Sequence, residues 1–203
     1  MEEERRRTIA WRGVDDPQRH DTAWFVLLPD RLGAAGRSVT PQYELVWGLT
    51  TTAGWVTSAL RVEVRADGWH RTLLLSREDD GEWAAEGTAD GRGDLPPPGI
   101  DADLTGALDC GLGLCPATNT MPVLRLGLTG DRPAPPTDLV MALVEVPSLR
   151  VVRSEQRYEQ FSRRAGSGAL VTFRSGAFVA PLVVDGEGLV RRYPGLAEAV
   201  PVV

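Results

Sequence analysis

The stretch Leu60-Arg61-Val62-Glu63-Val64-Arg65-Ala66-Asp67-Gly68-Trp69-His70-Arg71-Thr72-Leu73-Leu74-Leu75-Ser76 decides the fold class. Leu60, Val62 and Val64 alternate with Arg61, Glu63 and Arg65, so one face is apolar and the other charged, as in a strand covered on one side by a core. Asp67-Gly68 stands between this run and the next, where Leu73, Leu74 and Leu75 are apolar. A tight hairpin turn needs a positive φ, which Gly adopts without steric cost. Downstream, Asp80-Gly81 leads into residues 82–86, a third strand of the same meander. Upstream, Tyr43, Leu45 and Trp47 alternate around Glu44, and residues 24–28 read as a more buried strand.

The second half repeats the theme. Residues 139–146 form a long apolar strand closed by Pro147, which cannot donate to a ladder. Residues 149–161 are polar and extended, with Val151, Tyr158 and Phe161 as apolar points. Residues 169–174, 177–184 and 189–193 follow, broken at Ser175-Gly176 and at Asp185-Gly186-Glu187-Gly188, and make a second meander. One helix is expected over residues 118–127: Thr118 can cap it, Pro122 is tolerated in the first turn, and Gly127 can stop it. Met121, Leu124 and Leu128 fit helical spacing. Residues 94–99 and 131–136 are stiff Pro-rich connectors that need not divide domains. The expectation is one all-β domain over residues 1–203 with a single inner helix.

Composition removes several chemistries. The 203 residues include 22 basic ones, and every one is Arg. Without Lys there is no Schiff-base catalysis, no pyridoxal-phosphate attachment and no P-loop lysine. Two His and two Cys leave little for a zinc site or a disulfide framework, so no metal and no cofactor are expected. Abundant Arg, Ala, Gly and Pro, with Ile only at positions 9 and 100, fit GC-rich coding. A formal net charge of −6 argues against nonspecific attraction to nucleic acid or anionic membranes. The charged start Met1-Glu2-Glu3-Glu4-Arg5-Arg6-Arg7 has no apolar segment behind it, and no stretch is long enough for a membrane span. A soluble cytoplasmic protein is expected.

Catalytic signals are sparse. No Gly-x-Ser-x-Gly elbow occurs, and Gly166-Ser167-Gly168 has turn spacing. His70, beside Trp69, reads as an ordinary surface or half-buried side chain, and His20, in a loop before a strand, is the better candidate base. Cys110 and Cys115, separated by Gly111-Leu112-Gly113-Leu114, read as two buried thiols. Asp79, Asp80, Asp101 and Asp103 fit turn chemistry better than acid–base pairing. Arg92-Gly93-Asp94 matches an adhesion tripeptide but reads as a turn. All six Trp (11, 24, 47, 55, 69 and 83) precede the midpoint. They suit either a core under a curved sheet or a concave surface for a ligand with both oily and polar parts.

Several segments together resemble the bacterial family named "putative glycolipid-binding", long classed as a domain of unknown function. They are Trp11-Arg12-Gly13, His20-Asp21-Thr22-Ala23, Gly54-Trp55 and the strand to Val64, and, most sharply, Pro116-Ala117-Thr118-Asn119-Thr120-Met121-Pro122-Val123-Leu124-Arg125-Leu126. Val146-Pro147-Ser148-Leu149, Gln156-Arg157-Tyr158, Val184-Asp185-Gly186-Glu187-Gly188-Leu189-Val190 and Tyr193-Pro194-Gly195-Leu196 complete the order. The resemblance implies a spiral β-roll, a large and mostly antiparallel sheet curled around one short helix, with a tendency to dimerise. The glycolipid label rests on analogy of fold, and no catalytic residues come with it. This chain departs from the pattern at Asp109-Cys110-Gly111, where the family often has acidic, apolar, acidic, and at Leu124-Arg125, where two bases are common. A headgroup site built on paired bases is thereby weakened. His20-Asp21-Thr22 replaces a common His-Glu-Ser.

The leading expectation is non-catalytic binding of an amphipathic, lipid-like ligand, for instance a glycolipid, in an apolar cavity of the curled sheet. His20, Asn119, Arg125, Gln156 and Tyr158 are the candidate polar contacts, and Trp11 and Tyr193 the candidate stacking groups. Competing explanations exist for two of these: Asn119 can satisfy turn backbone, and Arg125 can close a buried ion pair. The alternatives are a structural or regulatory homodimer pairing through exposed edges such as residues 139–146, and a hydrolase or isomerase using His20 as base.

Overall fold

The computed structural model describes residues 4–91, 94–130, 132, 134–163 and 168–202. Arg92-Gly93 of the adhesion-like tripeptide, Gly166-Ser167, the initial Met1-Glu2-Glu3 and two positions of the 131–136 connector lie outside the described residues. The strands are β1 (Arg5–Gly13), β2 (His20–Leu27), β3 (Leu32–Val39), β4 (Glu44–Thr51), β5 (Thr57–Ala66), β6 (Trp69–Arg77), β7 (Trp83–Asp90), β8 (Gly99–Ile100) and β9 (Asp109–Leu112). After helix α1 (Thr120–Arg125) come β10 (Thr137–Val144), β11 (Arg150–Arg163), β12 (Ala169–Ser175), β13 (Phe178–Val184), β14 (Val190–Tyr193) and β15 (Ala197–Val200).

The hairpin anticipated at Asp67-Gly68 is present. β5 and β6 pair antiparallel from Ala66↔Trp69 to Ala59↔Ser76, and Gly68 has φ +75°. The same two-residue periodicity extends to both meanders, β1–β7 and β10–β15. They are joined by pairing of β1 with β15, through Ala10↔Val200 and Gly13↔Ala197, into one sheet ordered β7-β6-β5-β4-β3-β2-β1-β15-β14-β13-β12-β11-β10-β9. Pairing is antiparallel except where β9 runs parallel to β10 and β8 parallel to β11. Among the described residues, the chain is thus a mainly β protein with one short α-helix, its single large sheet curled but not closed. Among the described residues, no helix is long and apolar enough to cross a membrane.

The curl brings one end of the sheet inside. Side chains alternate across a strand, yet on β10 both faces are covered: Met141 is 2% exposed on one, and Ala142 and Val144 are fully buried on the other. All four residues of β9 are buried. A strand enclosed on both faces reads as continuously apolar, which explains the 139–146 run. β9 is also tied to the first meander, since Thr57 N–H donates to the Leu108 carbonyl (3.0 Å) and the Cys110 N–H to Thr57 Oγ1 (3.0 Å). The stretch expected to offer an open edge for dimerisation is therefore interior over residues 141–144, flanked by β9 and β11.

Helix α1 fills the space within the curl. Met121 packs into the cluster formed mainly by β1–β6, β9 and β10, while Val123 packs into the one formed by β11–β14. Its end is the one expected: Gly127 has φ +64°, and the N–H groups of Gly127 and Leu128 return to Leu124 O and Val123 O, both at 3.0 Å. Its start differs. A 3₁₀ turn over Pro116–Asn119 precedes it, and Thr118 Oγ1 accepts from Leu112 N–H (3.2 Å) and donates to Cys115 O (3.3 Å). The Thr118 hydroxyl holds the turn after β9 and caps no helix.

Other expectations also change in detail. β2 is alternating, not buried throughout: Phe25 is 2% exposed and its neighbour Trp24 50%. Strand β3, Leu32-Gly33-Ala34-Ala35-Gly36-Arg37-Ser38-Val39, carries no strand signal in sequence because small residues mask it. Its Gly36 sits opposite Trp47, and a Cβ there would lie 2.5 Å from the indole. Gly36 lets the Trp47 ring lie flat in the core. Replacing Gly36 with Val is expected to destabilise the fold by about 1–3 kcal/mol through overpacking, measured as a lower urea midpoint with an altered Trp emission maximum.

Candidate functional site

Strand β11 places Ser154, Gln156 and Tyr158 on one face, because they lie two residues apart, and that face looks into the curl. The register sets Met141 beside Ser154, Ser175 beside Gln156 and Phe173 beside Tyr158. A cavity of about 300 Å³ opens here. One part of its wall is Met141, Leu143, Phe173 and Phe178; another is Asn119, Gln156, Ser154 and Ser175; Tyr193 and the glycine-rich turn after β9 complete it. Phe178, 47% exposed, and Leu114, 39% exposed, stand at its mouth.

The polar wall is a single hydrogen-bonded string. Asn119 Nδ2 donates to Tyr158 Oη (2.8 Å), Tyr158 Oη donates to Gln156 Oε1 (3.1 Å), and Gln156 Nε2 donates to Ser154 Oγ (3.2 Å). Ser154 Oγ is 3.3 Å from Ser175 Oγ. Buried polar groups are costly without partners, so a shared string fixes each side chain in one orientation. Phe173 braces it with edge-on contacts to Tyr158 (5.3 Å between centroids) and Tyr193 (5.8 Å). Burial pushes the Tyr158 and Tyr193 hydroxyls well above the ordinary tyrosine range and the Cys115 thiol up to about 12, so all three stay protonated at neutral pH.

Of the seven residues singled out from sequence, four meet at this place: Asn119, Gln156 and Tyr193 line the cavity, and Tyr158 backs it through the string. The other three are elsewhere. Arg125 lies against Asp109 in a two-pronged ion pair, Asp109 being fully buried, and does not line the cavity. Trp11 is 1% exposed in the core, and its Nε1 donates to Val190 O (2.7 Å). His20 is exposed on the outer face, at a separate depression it shares with Thr22, Trp24 and Arg37. His70 is a surface group whose Nε2 is 3.0 Å from Glu63 Oε1.

Sequence reading passed over Ser154, Ser175, Phe173 and Phe178. The signal available was Ser-x-Gln-x-Tyr in β11, three hydrogen-bonding residues at strand spacing on a face that the neighbouring strands make apolar. It also passed over two buried arginines. Arg19 is 1% exposed and bonded to Asp21 (3.2 Å) and Leu196 O (2.5 Å). Arg71, 2% exposed, donates to the carbonyls of Leu95, Pro96 and Ser148. Both tie loops to the sheet, a role unlike the solvent-facing Arg61 and Arg65 of the opening stretch. Cys110 and Cys115 are free thiols. Among the described residues, no group of three His, Cys, Asp or Glu side chains is placed to hold a metal.

An open sheet curled around one short helix among the described residues, with a half-polar cavity on its inner side, is the architecture of this chain. The family model described as "Putative glycolipid-binding" matches residues 8–199, and the chain belongs to that family. It is also similar to the crystal structure of a DUF1089 family protein from Pseudomonas aeruginosa. The two are 25% identical with a TM-score of 0.63, over 89% of this chain and 92% of that one. No curated protein matches the chain.

Proposed function

We propose that this protein binds an amphipathic small molecule in the cavity between the turn that precedes α1 and strands β9–β12, without transforming it. The observation that carries the reading is the division of the wall into an apolar part, Met141, Leu143, Phe173 and Phe178, and a hydrogen-bonded string, Asn119–Tyr158–Gln156–Ser154–Ser175. Apolar lining with a few fixed polar groups is the usual form of a small-ligand site, and the volume is at the lower end of that range. The name of the family, glycolipid-binding, supports the same class of ligand. Binding without turnover is favoured by the kind of groups present. General acid–base work needs a side chain that exchanges protons near neutral pH. The ionisable side chains lining this cavity are Cys115 and Tyr193, both held protonated, and His20 is on the opposite face of the sheet.

The test is titration with an uncharged fluorescent acylglycerol, supported by native mass spectrometry of protein purified from its host. The wild-type chain is expected to saturate at one molecule per chain. Leu143→Trp, which projects an indole into the cavity, is expected to weaken binding by about tenfold or more while circular dichroism stays unchanged. Failure of the wild type to saturate, with ligand-free mass alone, removes the proposal.

A further inference from the structure

We infer that the cavity selects the head of its ligand by charge: it takes a neutral, hydroxyl-bearing, single-chain amphiphile and turns away ionised heads, whether carboxylate, phosphate or ammonium. This rests on the binding reading above and specifies the class of molecule that satisfies it.

Among the described residues that line the cavity there is no Arg, His, Asp or Glu. An ion seated against this wall would lose part of its hydration and gain no countercharge, which is costlier than moving a hydroxyl onto matched hydrogen-bond partners. The Arg125–Asp109 ion pair offers nothing to a ligand, because Arg125 is spent on both carboxylate oxygens of the buried Asp109. Arg157 and Arg174 alternate to the opposite face of the same strands, and Arg157 is held by Asp138 at 2.6 Å. The lining does provide mixed donors and acceptors. After the string is formed, the Asn119 and Gln156 amides each retain an N–H and acceptor capacity, and the Ser154 and Ser175 hydroxyls can both give and take. A ligand hydroxyl is likewise both donor and acceptor. A cavity of about 300 Å³ has no room for two chains.

The experiment compares decyl glucoside, decanoate, decyl phosphate and decyltrimethylammonium, all with one tail, each titrated into the full chain below its micelle concentration by calorimetry. Decyl glucoside is expected to bind at one site, with the three ions weaker by about tenfold or more. Ser175→Arg, which sets a cation beside the string, is expected to shift the decanoate-to-glucoside affinity ratio toward decanoate by about tenfold. Decanoate or decyl phosphate binding as tightly as decyl glucoside to the wild type, or an unchanged ratio in folded Ser175→Arg, overturns the charge selection and leaves ligand binding standing. Saturation by none of the four overturns both.

Discussion

Arg125→Met is expected to lower the unfolding free energy by about 3–5 kcal/mol at neutral pH, because it strands the fully buried Asp109 carboxylate. Burial already raises the Asp109 carboxyl above the ordinary carboxylate range, and Arg125 is the main group opposing that rise. With Arg125 gone, the folded-state pKa climbs further above the unfolded value of about 3.9. A carboxyl whose folded pKa is raised favours folding when protonated and loses that contribution as pH rises through the folded pKa. The deficit relative to wild type is therefore smallest near pH 4 and grows toward pH 8. Urea unfolding of both proteins across that range measures it. Asp109→Leu with Arg125→Met removes both charges and is expected to recover most of the loss, since a buried pair exchanged for apolar groups is often nearly neutral. A deficit that is flat with pH would show that Asp109 is not the stranded group.

Trp11→Ala is expected to cost about 3–5 kcal/mol, the range for deleting a large aromatic side chain from a core. The ring is 1% exposed, and its N–H reaches from β1 across β15 to the Val190 carbonyl on β14, so it pins the seam between the two meanders. Trp11→Phe keeps much of the packing but leaves that carbonyl without its donor, for about 1–3 kcal/mol. Thermal or urea unfolding reads both effects. Binding of the uncharged fluorescent acylglycerol separates packing from ligand contact. With Trp11 outside the cavity lining, the Phe variant is expected to keep the wild-type affinity, whereas a stacking role would cost it binding as well as stability.

The fates of individual residues show what kind of information a chain carries openly. Period-two alternation at Leu60-Arg61-Val62-Glu63-Val64 is local, and the hairpin it announces is present residue for residue. Gly127 ends the helix as its backbone freedom predicts. Strand β3 was not legible, since Gly33, Ala34, Ala35 and Gly36 have weak preferences of their own, and their extended form is imposed by pairing to β2 and β4. The same holds for β9, which pairs parallel to β10 from far along the chain. Asn119 and Tyr158 were legible as candidates, but their hydrogen bond spans 39 residues and arises only when α1 sits inside the curl.

Arginine makes the division plain. By itself the lysine-free sequence determined which reactions are closed to this protein, that it is built of strands in two meanders, and where its helix stops. Those properties depend on side-chain chemistry or on the conformational preferences of neighbouring residues. Only the tertiary structure decided that Arg125 is consumed by Asp109, that Arg19 and Arg71 are buried ties, and that Trp11 is core. It alone decided that the cavity wall is free of charge among the described residues. Burial, pairing and the desolvation cost that goes with them depend on which distant strands the curl brings together, and no local stretch of the chain carries that information.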